Sequence, residues 1–218
     1  MQLHRQQLQP IMQDTLRMND IDALPDFHIT VPSHTLPLFT TLLQSGIEIK
    51  ARSGDTLGKF LDQFPGFTPE YLAETVQTIF LNGTAIDDLT LALKGDRPVL
   101  ALSAAMPGLA GAIFRKNSFH SALRTETGPR NSSSEPEKEI TVTLKLFNSI
   151  ARERGADMLR EGISVKACLL AGFLRKRPNL CQSIVAIRHK EKELSQAELI
   201  EFLEHHSDVS LNITSHDD

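Results

Sequence analysis

Cysteine is nearly absent from this chain: Cys168 and Cys181 are the only two among 218 residues. They lack CxxC spacing, so neither a disulfide framework nor a zinc cluster is expected. Long apolar runs are also missing. No stretch reaches the ~18 consecutive apolar residues of a membrane-spanning helix. The opening MQLHRQQLQPIMQ has no apolar centre of the kind that makes a secretory signal. The sequence therefore predicts a cytoplasmic protein with no membrane partner. Surplus positive charge is absent too: the net charge is -4, which argues against a general nucleic-acid partner. No nucleophile and base stand at a recognisable spacing, and the glycines carry no Gly-Lys-Ser/Thr ending of a phosphate loop. The expectation is a protein without catalytic residues, metal or cofactor.

The chain does have enough to bury. Hydrophobic residues make up 40% and charged residues 23%, the balance of a packed protein rather than a disordered one. Its length suits one large or two small domains.

Residues 1–26 read as an N-terminal helical arm interrupted by Pro10. Phe27 to Val31 reads as a strand closed by Pro32. Ile47, Ile49 and Ala51 alternate with Glu48, Lys50 and Arg52, the period of a half-buried strand. The residues before them, 36–45, read either as the other arm of a hairpin or as a helix with Gly46 at its end. Asp55 is an N-cap candidate for a helix with Leu57, Phe60, Leu61 and Phe64 on one face. Thr68-Pro69-Glu70 opens another helix. Asn82-Gly83 then joins Thr78–Leu81 to a return strand at Ala85, because both central residues of a type I′ turn need positive φ. Pro98 to Ser103 is a further strand, and small residues from Ala104 to Gly111 follow it.

Residues 125–137, TETGPRNSSSEPE, have little to bury and read as a linker. Beyond it Ile140, Val142, Leu144 and Leu146 alternate as a strand. Ser164 reads as the N-cap of a helix with Val165, Cys168, Leu169 and Phe173 on its buried face, which makes Cys168 a structural cysteine. Ser183–Ile187 is a strand, and Arg188–Glu193 reads as a solvated loop. Ser195 and Glu198 form a capping box, and Val209, Leu211 and Ile213 make a last strand. Asp87-Asp88 are turn residues, and His205-His206 are a solvated helix end.

The segments IEIKARSGDTLGKFLDQF, IFLNGTAIDD and ALKGDRPVLALSAAMPG, in that order, resemble the ubiquitin-like β-grasp proteins, most closely the MoaD/ThiS-type sulfur carriers. ITVTLKLFNSIARERG and GISVKACLLAGFLRKRP resemble the same family a second time. The resemblance implies an α+β fold of tandem β-grasp domains, each a mixed sheet covered by a helix. The first spans 27–124 with a C-terminal extension, and the second, degenerate one spans 138–218. It also implies a protein partner among sulfur-transfer or cofactor-biosynthesis enzymes.

A sulfur carrier acts through a C-terminal Gly-Gly that threads an enzyme channel. This sequence ends Thr214-Ser-His-Asp-Asp218, and the matching Pro107-Gly108 is internal. The functional expectation is thus a non-catalytic accessory module that binds a partner through Met106, Pro107, Gly108, Gly111, Phe114, Arg115 and Lys116. The alternatives are a sulfur carrier or its precursor, cut after Gly108 or Gly111, and a small-ligand or anion site at Gly108–Lys116.

Overall fold

The structure, a computed structural model, describes residues 24–119 and 138–216. The expected linker and all but the last residues of the expected arm lie outside them. In chain order the elements are β1 (Asp26–Pro32), α1 (Leu36–Phe39) continued by a 3₁₀ turn (Thr40–Gln44), β2 (Ile47–Arg52), α2 (Leu57–Asp62), α3 (Pro69–Glu74), β3 (Thr78–Leu81), β4 (Thr84–Ile86), β5 (Val99–Ser103) and α4 (Gly108–Phe114). After the gap come β6 (Glu139–Phe147), α5 (Asn148–Glu161), β7 (Ile163–Lys166), α6 (Ala167–Arg175), α7 (Pro178–Gln182), β8 (Ala186–His189), β9 (Lys192–Glu193), α8 (Gln196–Glu204) and β10 (Asp208–His216).

The fold is α+β, built on one mixed sheet of ten strands in the order β4-β3-β5-β6-β2-β7-β10-β1-β8-β9. Its centre is the antiparallel joint between β2 and β7, where Glu48 faces Ser164. Outward from that joint the same relations run on both sides. On one side, β2 is antiparallel to β6, β6 parallel to β5, β5 antiparallel to β3 and β3 antiparallel to β4. On the other, β7 is antiparallel to β10, β10 parallel to β1, β1 antiparallel to β8 and β8 antiparallel to β9. The sheet is therefore two five-stranded sets with one plan, related as by a two-fold axis through the joint. Each set includes a strand from the far part of the chain. β6 lies between β5 and β2, and β1 lies between β10 and β8.

Alternation puts the apolar residues of all the longer strands on one face. Ile140, Val142, Leu144 and Leu146 of β6 are buried, as are Phe27, Ile29 and Val31 of β1 and Val209, Leu211 and Ile213 of β10. They join a single core cluster with Leu36, Phe39, Leu42, Leu43, Ile150, Leu159 and Leu170 from the helices. The other face carries Thr143, Glu48, Ser164 and Ser210 in register across the joint. The two segments that cross from set to set, the α1–3₁₀ segment and α5, pack on each other beneath it. Gly155 permits that approach: a Cβ there would lie 2.6 Å from Leu43 Cδ1 and 2.9 Å from Thr40 Cβ.

Several local expectations hold. Asn82 and Gly83 turn with φ of 52° and 81°, and the Asn82 Oδ1 accepts from the Val99 N–H at 2.8 Å. Thr68 caps α3 with Pro69 in its first turn, and Ser195 and Glu198 close a reciprocal capping box on α8. Others are corrected. Residues 36–44 are helical, because Leu36, Phe39, Leu42 and Leu43 recur at helical spacing and all point into the core; Gly46 follows with φ +113°. Thr56 caps α2, while Asp55 pairs with Lys59 Nζ at 2.7 Å. Ser164 belongs to β7, so α6 starts at Ala167 and its buried face is Ala167, Leu170, Ala171, Phe173 and Leu174. Cys168 is consequently exposed rather than structural. Arg188–Glu193 is no loop but the β8–β9 hairpin, turned at Lys190 with φ 54°, a left-handed backbone that costs a residue with a Cβ ~1–2 kcal/mol.

The shifted α6 face and the tight crossover predict three stabilities. Leu170→Ala loses ~2–5 kcal/mol, Gly155→Ala loses ~1–3 kcal/mol from overpacking, and Cys168→Ala stays within ~0.5 kcal/mol of the parent. Urea midpoints at constant slope measure them. A Cys168→Ala variant as damaged as Leu170→Ala would return the buried face to the register read from the sequence.

Candidate functional site

The seven residues singled out in the sequence fall on one folded segment behind β5. Pro107 precedes α4, and Gly108 has φ +77°. Gly111 is buried, and a Cβ on it would overlap the Met106 carbonyl oxygen. The glycine is therefore required for the chain to double back from Met106 into α4. The half-buried Phe114 lies on Phe80 of β3, with ring centroids 5.3 Å apart. Arg115 donates from Nε to Gln77 Oε1 at 2.8 Å. The Lys116 backbone N–H donates to the Gln77 carbonyl at 2.6 Å, and its Nζ donates to the carbonyls of Leu72 at 2.6 Å and Ala73 at 3.3 Å. Those carbonyls end α3, so Lys116 caps a helix C-terminus with its charge. Burial pushes the Lys116 ammonium down, and the nearby Asp87 carboxylate partly opposes that shift. Asp87 also accepts from the Asn117 N–H at 3.3 Å.

Phe114, Arg115 and Lys116 are thus brought together, and the contacts of Phe114 and Lys116 face inward. Beside the exposed Arg115 and Asn117, the segment presents two large apolar side chains outward. Leu109 is 72% exposed and Phe119 95% exposed, two of the four large hydrophobic side chains exposed among the described residues. Neither is among the seven residues expected from the sequence to bind a partner.

The remaining candidates have structural roles. Asp88 accepts from the backbone N–H and hydroxyl of Thr90, and these bonds hold its carboxyl below the usual range. The Cys181 thiol donates to the Leu174 carbonyl at 3.2 Å and is pushed up by burial, the opposite of a reactive thiol. The His206 ring stacks on Phe202 at 3.9 Å. No group of three His, Cys, Asp or Glu residues suited to a metal ion occurs among the described residues.

Two charged groups escaped the sequence reading because long-range packing creates them. Glu48 sits on an interior strand with only 8% of its side chain exposed; its Oε1 accepts from Thr143 Oγ1 at 3.1 Å, and the Arg97 guanidinium stands 3.8 Å from Oε2. Arg154 of α5 lies over the Tyr71 ring at 4.0 Å from its centroid, and Tyr71 donates its hydroxyl to Glu153 Oε2 at 2.8 Å. Beside them the 62–68 loop and Glu161 line an open concavity of about 440 Å³. Burial, then the neighbouring Asp157, raises the Glu161 carboxyl.

Tyr71 is the chain's one tyrosine, and there is no tryptophan, so its ionisation is directly visible. Burial and the hydrogen bond to Glu153 push its phenol up to about 12. The neutral phenol is the form the fold favours. Its stabilising contribution is complete below the unfolded value of ~10 and is lost as pH rises through about 12. Phenolate absorbance should therefore rise near pH 12 in the folded chain and near pH 10 in denaturant. A folded-state step near pH 10 would contradict the Tyr71–Glu153 contact.

No helix of the described residues is long and apolar enough to cross a membrane. Comparisons with known protein families, curated proteins and solved structures find no match to this chain.

Proposed function

We propose that this protein is a non-catalytic, partner-binding module of MoaD/ThiS-like β-grasp plan, and that its partner docks on the α4 segment. The observation that carries the reading is the contrast within residues 106–119. The segment is fixed from below by Gly111, Phe114 and Lys116, yet it holds Leu109 and Phe119 out to solvent. Apolar side chains on a rigid base lose little conformational entropy on binding, which suits an interface anchor. The β-grasp plan is supported by the two sets: each is a mixed sheet with one parallel pair, a hairpin at its edge and an apolar face under helices. The partner's class, a sulfur-transfer or cofactor-biosynthesis enzyme, rests on the sequence resemblance alone.

The carrier reading is weaker. A cut after Gly108 or Gly111 would sever the covalent link between the first set and β6, which lies between β5 and β2. The anion reading is weaker as well, because Lys116 and Arg115 both point into bonds with α3 and Gln77.

Paired variants test the proposal. Phe114→Ala lowers the melting temperature by removing the contact with Phe80. Leu109→Ala and Phe119→Ala melt like the parent and lose whatever co-purifies with the tagged chain from its own cells, each by a factor of ten or so if it acts as a hot spot of ~1.4 kcal/mol or more. Capture unchanged in both exposed-residue variants would refute the docking site. A fragment ending at Gly108 or Gly111 with the mass of a thiocarboxylate would replace this reading with the carrier.

A further inference from the structure

The sheet has a consequence for the kind of partner this chain fits. Residues 24–119 hold β1 to β5, and residues 138–216 hold β6 to β10. Neither part makes a five-stranded set alone. The first leaves a slot between β5 and β2, which β6 fills with ladder bonds on both sides: Val99 to Ser103 pair with Thr143 to Phe147, and Ile47 to Arg52 pair with Leu144 to Glu139. The second leaves a slot between β10 and β8, which β1 fills through Asp26–Pro32 against Ser210–His216 and His28–Thr30 against Arg188–Ala186. Beneath the sheet, Leu43 and Thr40 of one part close on Gly155 of the other.

We propose that the two parts bind each other as partners, and that a second copy of this chain satisfies the same slots by exchanging its 138–216 part. Every contact of the closed chain is then remade between copies, giving a closed two-fold dimer. The covalent link between the two parts, through residues 120–137, sets which outcome wins. Its 18 residues (120 to 137) reach up to ~60 Å when extended, so closure within one chain is allowed. A link of this length gives an effective concentration of order millimolar, so the closed monomer prevails in dilute solution.

The geometry also says how to force exchange. Ser118 is held at the Ser103 end of β5, since its hydroxyl donates to the Ala112 carbonyl and Lys116 and Ser103 both bond Gln77. Lys138 stands at the other end, where its carbonyl accepts from Ser53 and its ammonium pairs with Asp96, two residues before Pro98. Phe147 lies opposite Ser103 and Lys138 precedes it by the length of β6, so these ends are ~30 Å apart. A chain lacking residues 120–135 joins Ser118 to Lys138 through four links, at most ~14 Å. It cannot close on itself.

The test is light scattering with size-exclusion chromatography on the full chain, carrying a protease site within 120–137, and on the shortened chain. The full chain is monomeric when refolded from denaturant at micromolar concentration, and after cleavage its parts still elute as one particle. Refolded near millimolar, it yields a dimer that cleavage converts into monomer-sized particles; the shortened chain is dimeric at all concentrations. Separation of the cleaved parts in buffer would overturn the proposal, as would a dimer that survives cleavage, or monomer alone in both the concentrated refold and the shortened chain.

Discussion

The placement of β6 between β5 and β2 is the constraint that the rest of the structure depends on. A strand with an unpaired edge leaves a row of backbone donors and acceptors without partners. Here β5 has one edge, and β2 both, completed only by strands from beyond residue 138. β6 also brings Ile140, Val142, Leu144 and Leu146 into the core at once. Once β6 is there, α5 must carry the chain across the joint, and α5 must lie against the α1–3₁₀ segment that carries β1 the other way. Gly155 follows from that, because no side chain fits where the two crossings touch.

The local grammar of the fold was legible in the sequence. Asn82-Gly83, the alternation of β6, Pro69 after Thr68 and the Ser195–Glu198 box each encode their structure within a few residues, so a reading of propensity reaches them. What the sequence does not carry is which strand lies beside which. The pattern Phe27–Ile29–Val31 says that a strand has one apolar face, and the β10 and β8 neighbours of that strand are more than a hundred residues away. The α6 face was misread by a step for a related reason: Ser164 is a good cap in isolation, but pairing with Glu48 and Ser210 holds it in β7. Cys168 then rotates out to solvent.

The candidate site was legible as a place and not as a surface. The small residues from Ala104 to Gly111 suggest close approach, and Gly111 under the Met106 carbonyl is such an approach. Its purpose is internal, however, and so is that of Lys116, whose ammonium closes α3. The large apolar side chains that the segment exposes are Leu109 and Phe119. An apolar side chain is normally read as core, and only the packing of the chain around them shows that these two are exposed.

The claim that the two parts of the chain form one sheet by mutual strand insertion is tested most directly by native-state hydrogen exchange. In rising sub-denaturing urea, the amides of β1, β2, β6 and β10 should converge on a single opening free energy equal to that of global unfolding, because each strand is held by both parts of the chain. If the amides of 138–216, β6 included, opened together at a lower free energy while those of 26–103 stayed protected, the parts would be independent and the account would be wrong.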